Sequence, residues 1–245
     1  LMNYGDGLYA GQFIGALYAE AFFETDRVKL VEKALKAIPQ ESQYAEMVRD
    51  MLKWYRQYPG DWEATWHECQ KKYRENPEYQ KSSNGGIDCK INGAYVLLGL
   101  LYGEGDLMET IVISCRGGQD SDCNPSSSAG VLFTTVGFEA LPKTYTELLD
   151  RKTPFNHTAY NYPALLDVSE KLARQVVLKY GGTITRNDAG EEIFVIPDMD
   201  VKPSKMVYSW APEPIEGSKF TPEEMAQIKW GTVSSQVKKA TEELF

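Results

Sequence analysis

The stretch Cys115–Phe138, CRGGQDSDCNPSSSAGVLFTTVGF, decides how the rest of the chain is read. Glycines, two carboxylates one residue apart and a helix start fall within a dozen positions. Asn124 followed by Pro125 predicts an N-cap with proline at the first helical position. Ala129, Leu132, Phe133 and Val136 then recur at helical spacing, so a buried helix is expected from Pro125. Asp120 and Asp122 accordingly fall in the loop ahead of a helix N-terminus, where the helix dipole favours negative charge. Two ionised carboxylates this close repel each other unless a cation lies between them. Hard oxygen ligands without a cysteine or histidine framework suit Mg²⁺, Mn²⁺ or Ca²⁺ better than zinc.

Two known patterns share this spacing. Asp120, Asp122 and Asn124 match the opening of an EF-hand loop, but Pro125 stands where that loop needs glycine and Val131 where it needs glutamate. The D-x-D of metal-dependent glycosyltransferases is the second; it normally ends a strand of an α/β domain, whereas the sequence before Asp120 reads as helix. A solvated Asp-rich helix cap is the plain structural alternative.

Gly118-Gln119-Asp120-Ser121-Asp122-Cys123 also resembles the G-G-D-T-D-T signature of the ADP-ribosylglycohydrolase family, and SSSAGVLFTTVGFEALP after it resembles that family's small-residue helix. The order of pieces agrees: an apolar helix NGAYVLLGLLY, a short acidic turn, a helix, then the aspartate loop. Asn3 to Gln12 lines up with a further family segment on Tyr9 and Gly11, with Asn3 where a histidine is usual. The likeness covers residues 3 to about 145 and is weak over 25–85. It implies a dinuclear Mg²⁺ centre (Mn²⁺ being the alternative) with Asp120 and Asp122 as ligands and catalytic groups. Cys123 marks an altered third ligand, because a thiol replaces the family's threonine and is a poor partner for Mg²⁺. It also implies a cleft for ADP-ribose or a related furanoside lined by Asp6, Gly7, Tyr9, Gly11, Gly117, Gly118 and Gln119. The family's first metal-binding segment, of T-D-D type, occurs nowhere in the 245 residues. A missing N-terminal half of the same protein is therefore the expected partner, and the opening LMNYGDG reads as the start of a fragment.

Composition narrows the field. With 42% hydrophobic and 12% aromatic residues the chain can bury a sizeable core. A net charge of −9 and the absence of basic runs argue against nucleic acid. Cys69, Cys89, Cys115 and Cys123 form no C-x-x-C pair and read as free thiols. The apolar run around Tyr95–Tyr102 is too short to span a bilayer. A soluble protein is expected, cytoplasmic or exported after loss of an upstream signal.

Gly7, Gly11, Gly15 and Ala19 recur every four residues and give a first helix a smooth stripe. Amphipathic helices are expected over Asp26–Ile38 and Ser42–Tyr58, and Asp61 caps another that carries Trp62, Trp66 and Tyr73. Asn76–Lys90 reads as loop, with Asn84-Gly85-Gly86 as its turn; Ile91–Tyr102 is a strongly apolar helix. Asp106 and Glu109 form a capping box for the helix entering the aspartate loop. His67 and His157 have no acid partner at catalytic spacing and read as structural. Beyond Pro142 a short helix over Thr144–Leu149, a loop to Pro163 and a long amphipathic helix to Tyr180 are expected. A hairpin follows, Thr183–Arg186 with Glu192–Ile196 around Asn187-Asp188-Ala189-Gly190. Lys205–Trp210 is a candidate third strand, and Thr221-Pro222-Glu223-Glu224 caps a last helix.

The expected fold is mainly α, part of an ADP-ribosylglycohydrolase-like helical bundle with a small C-terminal β-hairpin extension. Residues 1–150 would form the C-terminal part of the helical domain, and 151–245 an accessory extension packed on it. The expected function is Mg²⁺-dependent hydrolysis of the glycosidic bond of an ADP-ribosyl group, on a small-molecule or ADP-ribosylated substrate. A non-catalytic sugar-binding relative and a D-x-D glycosyltransferase remain as alternatives.

Overall fold

The structure, a computed structural model, describes residues 3–81 and 88–211. It is mainly helical with one two-stranded hairpin. The helices are α1 (Asp6–Glu20), α2 (Arg27–Leu35), α3 (Gln43–Gln57), α4 (Trp62–Cys69), α5 (Cys89–Tyr102), α6 (Leu107–Gly117), α7 (Cys123–Val136) and α8 (Tyr162–Lys179). Short polar side chains start most of them. Asp26, Ser42, Asp61, Asp88, Asp106 and Asn161 each accept a hydrogen bond from an orphan amide of the first turn.

α5 is the centre. Its sequence is apolar on every side, and every residue from Lys90 to Tyr102 is buried. Helices α1, α3, α4, α6 and α7 pack around it. Two glycines set how closely they approach. A Cβ on Gly93 would lie 2.3 Å from the Tyr44 hydroxyl of α3, and one on Gly99 would lie 2.5 Å from the Thr110 carbonyl of α6. The core otherwise comes from Phe13 and Leu17 of α1, Leu30 and Val31 of α2, and Met47, Val48 and Met51 of α3. Each such side chain contributes roughly 1.5–3 kcal/mol by leaving water.

Polar groups are buried here too. The Lys90 ammonium, fully buried, lies 3.0 Å from the equally enclosed Asp88 carboxylate. Asp6 is 3% exposed; its Oδ1 accepts from the Tyr44 amide at 2.9 Å, tying the start of α1 to the start of α3. Burial raises the Asp6 carboxyl above its ordinary value, against the opposing pull of the Tyr44 amide and Lys90.

Past α7 the chain behaves differently. Gly137 turns it at φ +84°, two 3₁₀ turns follow, and α8 has no buried residue. Strands β1 (Thr183–Arg186) and β2 (Glu192–Val195) pair antiparallel, Thr183 opposite Val195 and Arg186 opposite Glu192. Arg174 of α8 clamps the hairpin through Glu192 at 2.5 Å.

Several expectations are corrected. Instead of a helix over Thr144–Leu149 there is a single 3₁₀ turn at Lys143–Tyr145, since so short a segment does not repay nucleation without packing. The expected loop to Lys90 ends earlier, because Asp88 accepts from the Lys90 amide and starts α5 at Cys89. Lys205–Trp210 adds no strand to the hairpin among the described residues; Tyr208 makes only an isolated bridge, to Ala211 just beyond it. The backbone groups a ladder would use are taken by α1 instead. The Tyr9 hydroxyl accepts from the Val207 amide at 2.7 Å and donates to the Lys205 carbonyl at 3.2 Å. The Ser209 hydroxyl accepts from the Asp6 amide at 2.8 Å. This strap, with Met206 and Val207 against the core, is what joins the C-terminal region to the helical body, whereas α8 rests chiefly on β1. The Asn84-Gly85-Gly86 turn and the helix capped at Thr221 lie outside the described residues.

Candidate metal centre

The aspartate loop joins two helices that flank α5. Its entry is set by α6, which ends in two glycines with different tasks. Gly117 is buried, a Cβ there would sit 2.9 Å from the Tyr95 ring, and its carbonyl accepts from Trp66 Nε1 at 2.7 Å. Gly118 turns the chain at φ +91° with open space where a Cβ would be, and Gln119 follows at φ +59°. Two successive left-handed residues reverse the chain so that residues 120–122 meet the N-terminus of the next helix.

That helix begins two residues earlier than expected. Asp122 occupies the N-cap position, the Asp120 carbonyl accepts from the Asn124 amide at 3.0 Å, and Asn124 lies inside α7. The correction has a cause: the Asn124 side chain is not free to cap. Buried at 4% exposure, its Nδ2 donates to Asn92 Oδ1 at 2.8 Å and leans toward the Gly118 carbonyl at 3.5 Å.

Asp120, Asp122 and Cys123 offer ligand atoms that all lie within 4.8 Å of one another; Asp120 is half-buried and the other two are exposed. Contact with the neighbouring Asp120 carboxyl holds Asp122 below the usual carboxylate range, helped by the amides of Asp122 and Cys123. The same neighbours act in the opposite sense on Cys123. A hydrogen bond with Asp120 and the two negative charges push its thiol up, away from the thiolate a metal would need. The donor set is two hard oxygens and one soft sulfur, and the oxygens are what suit Mg²⁺ or Mn²⁺.

The other residues expected to line a cleft are distributed unevenly. Gly117, Gly118 and Gln119 adjoin the aspartates. Asp6 and Tyr9 are buried beneath the 205–209 strap, with their polar atoms committed to Tyr44, Ser209, Lys205 and Val207. Gly7 abuts Asn3, and Gly11 is exposed with nothing near it. Sequence reasoning overlooked Asn92 and Trp66, both of which hold the loop. Asn92 had a signal, as the lone carboxamide in an otherwise apolar helix; Trp66 had none.

The strand-end geometry of a D-x-D glycosyltransferase is absent. Among the described residues the sheet is a remote antiparallel hairpin, and the aspartates link two helices. His67 lies exposed on α4 against Trp66, and His157 lies in an exposed turn, so neither adjoins the loop's ligand set. No helix is long and apolar enough to cross a membrane among the described residues.

Neither a curated protein nor a solved structure gives a significant match to the chain. The profile of one family does, over residues 2–181, which takes in the aspartate loop, every helix from α1 to the last turn of α8, and the Gly-rich stripe. With helical architecture, loop position and profile in agreement, the chain belongs to the ADP-ribosylglycohydrolase family.

Proposed function

We propose that this chain supplies one side of a Mg²⁺ centre that cleaves the glycosidic bond of an ADP-ribosyl group. The observation that carries it is the pairing of Asp120 and Asp122 at the start of α7, within ligand distance of each other, in a chain of a glycohydrolase family. Asp120 and Asp122 would hold the metal; when bound, it supplies Lewis-acid stabilisation of charge around the ribose and orients its hydroxyls and a water. The chain's own contribution is positional. Gly118 leaves the backbone open to a sugar, and the α7 N-terminus favours negative charge at the site.

Mg²⁺ requires near-octahedral coordination, and one loop with two good ligands cannot complete it. The remaining positions are assigned to water, substrate and ligands from an N-terminal portion of the same protein. The test is ADP-ribose release from an ADP-ribosylated peptide, followed in Mg²⁺ and in EDTA. Release that requires Mg²⁺ and vanishes in Asp120→Ala and Asp122→Ala supports the proposal. Release indifferent to both contradicts it. Mg²⁺-dependent binding of ADP-ribose without release would favour a non-catalytic binding relative, the alternative suggested by a thiol, a poor partner for Mg²⁺, at the third ligand position.

A further inference from the structure

We propose that Asn92 is the positioning residue of the aspartate loop, holding Asp120 in ligand geometry before any metal arrives. Asn92 lies on the second turn of α5 and is 8% exposed. Its carboxamide oxygen accepts two hydrogen bonds from opposite ends of the loop: the Asp120 amide at 3.2 Å and Asn124 Nδ2 at 2.8 Å. Its carboxamide nitrogen donates to the Asp88 carbonyl at 2.9 Å. These partners fix which end of the amide is oxygen, since two donors face one end and a carbonyl faces the other. Asp88 is itself buried and paired with the buried Lys90 ammonium at 3.0 Å. A connected path of buried polar groups thus runs from Lys90 through Asp88 and Asn92 to the backbone of Asp120.

The consequence is specific. The Asp120 side chain is half-buried beside Asp122 and Cys123, while its backbone amide is held from behind by the Asn92 carboxamide oxygen, which already accepts two hydrogen bonds. Groups that hold ligands in place without touching the ion typically change metal affinity ~10–100-fold when removed. Asn92 stands in this relation to Asp120. This part of the inference rests on the metal-centre reading above; the hold on the loop does not.

Amide hydrogen exchange of the metal-free chain and Mn²⁺ binding followed by electron paramagnetic resonance test the two parts separately. Asn92→Ala removes the acceptor. Asn92→Ser is the second variant: its hydroxyl can still bond the Asp88 carbonyl four residues back, which preserves α5, but it cannot reach the loop. In the wild type the Asp120 amide should exchange slowly. In either variant it should exchange at least tenfold faster while the amides of α5 and α6 keep their protection, and Mn²⁺ affinity should fall ~10–100-fold. Unchanged Asp120 exchange, or wild-type Mn²⁺ affinity in a folded Asn92→Ser chain, overturns the proposal. A wild-type chain with no Mn²⁺ affinity overturns the metal-centre reading and the affinity part with it. The exchange pattern, read without metal, then still decides for or against the hold on the loop.

Discussion

Helix α5 and helix α8 stand at opposite extremes of the molecule. Every residue of α5 from Lys90 to Tyr102 is buried, whereas α8, four residues longer, buries none. Leu165, Leu166, Leu172, Val176 and Leu178 of α8 are all more than 40% exposed, and Phe194, Val195 and Ile196 of the hairpin side lie open as well. Both helices look convincing as sequence. The difference is that an all-round apolar helix admits only a central position, so its surroundings follow from its pattern, while an amphipathic helix specifies a face and not what covers it. α5 also carries the functional consequence. Because it is enclosed on all sides, a polar group on it such as Asn92 becomes a fixed point from which a loop can be held.

This contrast can be broken in several places. The largest expected effect is Asp88→Ala, which leaves the Lys90 ammonium buried without its partner and removes the cap of α5. Breaking such a pair costs roughly 3–5 kcal/mol, read as a loss of urea or thermal stability. Leu97→Ala, fully buried on α5, should cost about 2–5 kcal/mol in the same measurement.

A smaller effect concerns the strap over α1. Burial raises the Asp6 carboxyl, so the folded state binds a proton more readily than the unfolded one. The Asp6 contribution is then fully favourable below the unfolded value near 3.8 and is lost as pH rises through the raised folded value. Asp6→Asn should remove this dependence, so the stability difference between variant and wild type should grow in favour of the variant as pH rises from 3.5 to neutrality. A difference flat with pH contradicts it. The smallest expected effect is Leu172→Ala on α8, within about 0.5 kcal/mol. If it costs as much as Leu97→Ala, something covers α8 in solution and the contrast between the two helices dissolves.

Much of this organisation is written locally. The caps Asp61 and Asp106, the hairpin around Asn187-Asp188-Ala189-Gly190 and the helical setting of Asp120 and Asp122 were all readable, because each depends on residues within a few positions of one another. What escaped depends on distant partners. Asn124 looks like a cap until Asn92, 32 residues away, claims its side chain. Lys205–Trp210 looks like a strand until Tyr9, almost 200 residues earlier, takes its backbone hydrogen bonds. Asp6 and Tyr9 read as cleft residues by alignment, and only the fold shows them tied beneath that same strap. No spacing rule announces such pairings.

The central claim is that Asp120 and Asp122 form a working metal-binding loop. Calorimetric titration of Mg²⁺ into the full chain, then of ADP-ribose with Mg²⁺ present, tests it most directly. The account predicts that Mg²⁺ binds, that ADP-ribose binds only when Mg²⁺ is present, and that Asp120→Ala and Asp122→Ala abolish both while leaving the thermal unfolding transition in place. Mg²⁺ binding that survives both substitutions, or ADP-ribose binding that ignores the metal, would contradict it.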